Sequence, residues 1–63
     1  MHGYGAKLKA LRDKKSRKEV AEAVGISVSA LQMYEAEKRV PRDYIKKKLA
    51  EYFDTTVEYL FFT

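Results

Sequence analysis

The stretch SRKEVAEAVGISVSALQMYE, Ser16 to Glu35, decides how this chain folds. Ser16 followed three residues later by Glu19 is the pattern of a helix start, where side-chain oxygens take amides that the first turn leaves unpaired. Val20, Ala21 and Val24 then recur at helical spacing, which predicts a helix from about Arg17 to Val24. Gly25 stands where that helix must stop. A left-handed residue there satisfies the last carbonyls, and glycine adopts that conformation without a Cβ clash. Ser27, after apolar Ile26, is a good N-cap for a second helix running to about Ala36. Helices joined by so short a corner must cross closely, and Ala21 is small enough to allow it.

Residues of the second helix advance by about 100° each, which divides them into two faces. Ala30, Leu31 and Tyr34 gather on one side and are assigned to the core. Val28, Ser29, Gln32 and Met33 occupy the opposite arc. That arc holds no charge in a chain with 35% charged residues, although exposed helix faces ordinarily carry them. Such a face is reserved for a partner.

The 63 residues include no cysteine. A single domain over residues 1–63 is expected, with a small core held by packed helices or self-association rather than by disulfides. So small an interior leaves no room for a buried catalytic pocket. No apolar run approaches a membrane span, and the opening MHGYG has neither a basic nor an apolar leader region. A cytoplasmic location without membrane contact is the expectation. The net charge of +4 conceals a division. All 13 lysines and arginines fall in two blocks, Lys7 to Lys18 with Asp13 as its one acid, and Lys38 to Lys48 with Asp43 as its one acid. From Leu49 to Thr63 there is no base, only Glu51, Asp54 and Glu58. On a helix-turn-helix the two basic blocks flank the neutral arc on both sides. Lysine runs often do no more than solvate a small helical protein. A cationic rim around an uncharged reading face is, however, the layout expected for DNA, where phosphate contacts position and base contacts specify.

The remaining segments are helical as well. Tyr4, Leu8 and Leu11 mark a first helix from about Tyr4 to Lys14. Pro41, Arg42 and Asp43 open a fourth, with Ile45, Leu49, Tyr52 and Phe53 as its apolar stripe. Asp54-Thr55-Thr56 then breaks and recaps the chain, and Val57, Leu60 and Phe61 support a final short helix. With no strand alternation or internal repeat, the expected fold class is all-α.

The pattern resembles the phage-repressor (Xre/Cro) helix-turn-helix family from Leu8 to about Phe61. The most specific stretch is EVAEAVGISVSALQMYEAEKRVP, in which Ala21, Gly25, Ile26, Ser27, Leu31, Tyr34, Glu35, Lys38, Arg39 and Pro41 fall where that family's pattern expects them. The tail DTTVEYLF matches its last-helix signature loosely. The resemblance implies a compact five-helix lambda-repressor-like DNA-binding domain. It puts Val28, Ser29, Gln32 and Met33 on base-reading positions. Arg17 falls where the family usually has a phosphate-binding glutamine, a task that a guanidinium performs with a full charge. Lys18 and Ser27 join the same phosphate grip. Lys38, Arg39 and Arg42 fall in the following loop and helix start, where the family holds the backbone again.

Three departures bear on this reading. The connection DKKS between the first and second helices is shorter than the common form and lacks its glycine and apolar residue. Glu37 stands where the family favours glycine, which sets backbone strain and a negative charge near the expected phosphates. Its replacement by glycine is therefore expected to tighten DNA binding. The outer arc lacks Arg, Lys and Asn, so readout rests on Gln32 to adenine and on Val28 and Met33 against thymine methyls, with modest specificity or DNA-shape readout.

Each of these residues also has a plainer reading. Gln32 can be a solvated helix former, and Val28 and Met33 can pack at the edges of the helix interface. Glu35 has no carboxylate or histidine placed to pair with it, so a structural salt bridge to Arg12 is expected in place of acid catalysis. His2, the single histidine, has no second metal ligand beside it. Tyr52, Phe53, Tyr59, Phe61 and Phe62 hold more aromatic area than a small core absorbs. Tyr59, Phe61 and Phe62 are the expected dimer interface, with Tyr59 or Phe62 at least reaching the surface. The functional expectation is a small transcriptional regulator, a repressor that occupies an operator in double-stranded DNA as a homodimer. Neither enzyme activity, cofactor nor small-molecule ligand is expected. The alternative is a protein-interaction module, such as an antitoxin or adaptor, using the same exposed helix. A protein partner would tolerate loss of the basic blocks, whereas DNA would not.

Overall fold

A computed structural model describes residues 3–63, so the expectation for His2 lies outside the described residues. Among these residues there are five helices and no strand: α1 (Tyr4–Arg12), α2 (Arg17–Val24), α3 (Val28–Glu35), α4 (Asp43–Tyr52) and α5 (Val57–Phe61). Local chemistry sets most of their ends. The hydroxyls of Ser16, Ser27 and Thr56 accept the amides of Glu19, Ala30 and Tyr59, each at 3.0 Å, caps that contribute about 1 kcal/mol apiece. Gly25, at φ +84°, ends α2, and the amides of Gly25 and Ile26 both return to the Ala21 carbonyl. A similar closure ends α3 and α4. Lys38 donates to the Met33 carbonyl and Thr55 to that of Ala50, each at 2.9 Å. Glu37 (φ +59°) and Asp54 (φ +55°) take the left-handed place that glycine usually holds.

The first helix ends at Arg12, short of the expected Lys14, because Asp13 turns into a positive φ of 53°. Arg12 Nη1 then donates to the Lys15 carbonyl at 2.9 Å, closing the short DKKS connection. The interior is built on Leu8, Leu31, Leu49 and Leu60, one from each helix except α2, whose Val20, Ala21 and Val24 are buried beside them. Burial of each such leucine contributes about 1.5–3 kcal/mol. Ala21 of α2 is 1% exposed. One expectation is corrected here. Phe61, assigned with Tyr59 and Phe62 to a dimer interface, is 2% exposed and lies with its ring centroid 5.4 Å from that of Tyr4. α1 covers the Leu60–Phe61 side of α5, which leaves Tyr59 and Phe62 on the surface.

Candidate nucleic-acid interface

The helical period divides α3 as its sequence predicts. Leu31 and Tyr34 are buried and Ala30 packs half-buried against the core, while Val28, Ser29, Gln32 and Met33 are all exposed. No titratable group interrupts that face. An exposed arc of one amide, one hydroxyl and two apolar side chains suits the edges of bases: an amide can pair with adenine, and apolar groups can meet a thymine methyl.

Glu35, at the end of this helix, has a side chain only 1% exposed. A carboxylate so withdrawn from water requires compensation. Arg12 supplies it with two bonds, Nε to Oε2 at 2.7 Å and Nη2 to Oε1 at 3.2 Å, and Arg17 adds Nε to Oε1 at 3.0 Å. The salt bridge expected with Arg12 is present, and Arg17 joins it. This triad fastens the end of α1 and the start of α2 to the end of α3. Arg17 remains 37% exposed, with Lys18 exposed beside it, so cationic surface persists at the start of α2.

Beyond the end of α3, Lys38, Arg39 and Arg42 are exposed along the segment leading to α4. A groove of about 600 Å³ separates this segment from the α2–α3 turn, with Ile26 and Ser27 on one wall and Arg39, Val40, Arg42 and Tyr44 on the other. Its described lining includes no acidic residue. Val40 and Tyr44 are 49% and 59% exposed. Neither was singled out by the sequence; two apolar bodies left in water among expected phosphate contacts were the available signal.

Glu37 does not face this groove. Its Oε2 accepts the Gly5 amide at 3.0 Å, a contact that the sequence reading lacks. The positive φ expected at this glycine-type position is present, and a left-handed non-glycine residue costs about 1–2 kcal/mol. Two residues away, the Tyr4 hydroxyl donates to the Arg39 carbonyl at 3.0 Å. Burial pushes the Tyr4 phenol above its ordinary pKa of 10.0, and the nearby Glu37 carboxylate pushes the same way. The hydroxyl thus keeps its proton for that bond.

The basic blocks are not spent wholly on this surface. Lys7 Nζ donates to the Tyr59 carbonyl at 2.8 Å and to Thr63 Oγ1 at 2.7 Å, and lies 4.8 Å from the Tyr59 ring centroid. Lys46, with a side chain 7% exposed, lies between Phe61 and Phe62, 5.5 and 5.1 Å from their ring centroids. Both surface aromatics of the tail are therefore backed by an ammonium group.

Among the described residues no cluster of three or more His, Cys, Asp or Glu could hold a metal ion, and no helix is long and apolar enough to cross a membrane. No curated protein and no solved structure matches the chain. A family model described as helix-turn-helix matches residues 8–60, nearly the whole chain. With a capped α2, a left-handed glycine turn, and an α3 whose outer face is exposed and uncharged, the chain belongs to the Xre/Cro-type helix-turn-helix family of DNA-binding regulators.

Proposed function

We propose that this protein, acting as one domain, docks α3 in the major groove of double-stranded DNA and represses transcription by covering an operator as a homodimer. One observation carries the reading: the arc of α3 is exposed and uncharged, while Lys18 at the start of α2 and Lys38, Arg39 and Arg42 after α3 present their charges to solvent. Val28, Ser29, Gln32 and Met33 read bases. Arg17 and Lys18 hold phosphates on one side, and Lys38, Arg39 and Arg42 hold them on the other. Ser27 uses an oxygen lone pair for its cap and retains a proton to donate to a phosphate. Val40 and Tyr44 meet the deoxyribose between the phosphates that Arg39 and Arg42 grip. Tyr59 and Phe62, both exposed on α5 and its end, form the dimer contact; Phe61 is excluded by its burial.

Selection of bound fragments from a random duplex pool, followed by titration at several salt concentrations, tests the proposal. The log-log salt slope is expected to be at least about −3 to −4 per protomer, one unit for each phosphate neutralised by Arg17, Lys38, Arg39 or Arg42. A flat slope, or no duplex binding at low salt, would remove DNA and favour a protein held on the same arc of α3.

A further inference from the structure

We infer that Glu37 and Tyr4 are positioning residues for DNA binding: together they clamp the segment bearing Lys38 and Arg39 onto the first turn of α1. This inference rests on the DNA reading above. α1 begins at Gly3 with no side-chain cap of its own, so its early amides need a partner from elsewhere. Glu37, thirty-two residues away, provides it through Oε2 at 3.0 Å from the Gly5 amide. The carboxylate lies at the positive end of the α1 dipole, where its charge is stabilised. The Tyr4 hydroxyl fixes the same segment again at the Arg39 carbonyl, 3.0 Å away. The segment is fixed a third time where the Lys38 amide donates to the Met33 carbonyl at 2.9 Å. Gly5 makes the approach possible. A Cβ there would run into the Glu35 carbonyl and lie 2.9 Å from Glu37 Cγ.

The backbone strain at Glu37 identifies which of these contacts serves more than helix closure. Closing α3 needs a left-handed residue at this point and no side chain, and glycine would supply it without strain. Glu37 bears the strain and has the reach to α1, and what that reach immobilises is the stretch carrying two exposed cations. Holding them in place before DNA arrives removes ordering entropy from the binding step. The carboxylate is engaged with an amide. The tightening expected from the sequence for Glu37→Gly is accordingly reversed.

The experiment compares wild type, Glu37→Gln, Glu37→Gly and Tyr4→Phe at low salt on a selected duplex, each also in a Lys38→Ala, Arg39→Ala background. Amide exchange at Gly5 is followed by NMR, and folding by thermal melting. Glutamine keeps an oxygen acceptor and loses the charge, so Glu37→Gln is expected to stay within about twofold of wild type, with Gly5 protected. Glu37→Gly, relieved of strain and still folded, is expected to expose the Gly5 amide and to bind roughly fivefold or more weakly. Tyr4→Phe, which keeps the buried ring, is expected to lose about twofold or more. Both losses should vanish when Lys38 and Arg39 are absent. Tighter or unchanged binding by Glu37→Gly, tighter binding by Glu37→Gln, no effect of Tyr4→Phe, or losses that persist in the doubly substituted background each overturn the clamp while leaving the DNA reading intact. A wild type that ignores duplex DNA at low salt overturns both.

Discussion

At Glu35 a carboxylate withdrawn from water is held by two guanidiniums from different helices, so its removal unpairs Arg12 and Arg17 together. Glu35→Ala is expected to destabilise the fold by roughly 2–4 kcal/mol, below the upper range for a buried pair because both arginines can rehydrate. Urea unfolding measures this as a lowered midpoint. Tyr4 provides a pH dependence. Its folded pKa lies above 10.0, so the neutral phenol contributes stability that is complete below about pH 10 and is lost as pH rises through the folded value. The alkaline fall in melting temperature should be smaller in Tyr4→Phe than in wild type. On DNA, Gln32→Ala is expected to lose roughly 1–3 kcal/mol on the preferred site and to flatten discrimination at one base position, whereas Arg39→Ala weakens all sequences alike. Binding assays across single-base variants of the site separate the two; unchanged preference would reduce Gln32 to a solvated residue. Ser16, Gly25 and Ser27 were legible because each acts within a few positions of itself. Contacts between distant segments were legible only in part: Arg12 on Glu35 was expected, whereas Arg17 on Glu35 and Glu37 on Gly5, from segments 18 and 32 residues apart, were not.

Among the elements, the helix-turn-helix was readable because capping, the glycine stop and the 3.6-residue period agree over α2 and α3. α5 was harder. Five residues make too little of a helix to fix its rotational phase, so Phe61 was grouped with Tyr59 and Phe62 as dimer surface, whereas α1 covers it. The groove between the α2–α3 turn and the α4 approach was likewise invisible in sequence, because its walls come from segments more than ten residues apart. If deoxyribose packs there, Val40→Ser and Tyr44→Ser should weaken binding to every duplex and leave the salt slope unchanged, since no phosphate contact is lost. Arg42→Ala should reduce the slope by about one. A change in slope with Tyr44→Ser, or no loss of affinity, would take the sugar contact out of the groove.

The backbone of the described residues extends 26 × 23 × 22 Å. Successive major grooves on one face of a duplex are about 34 Å apart, so one copy engages a single groove and a longer site needs two. Tyr59 and Phe62 are the exposed aromatics of a tail without lysine or arginine, although Lys7 and Lys46 stand behind them. A Tyr59→Ala, Phe62→Asp double variant should sediment as a monomer where wild type is a dimer, and the wild-type site should be an inverted repeat with half-sites about one turn apart. A wild type that stays monomeric at high concentration and on DNA would leave only the single-copy reading. The position of α1 then fixes how such a pair measures distance. In its first turn Gly5 abuts the close of α3, while Tyr4 and Lys7 hold α5 through Phe61 and the Tyr59 carbonyl. In the proposed dimer the helix is a gauge block between the surface assigned to bases and the surface assigned to a second copy. One base pair inserted at the centre of the site turns a half-site by about 34–36°, and a gauge block has no hinge with which to follow.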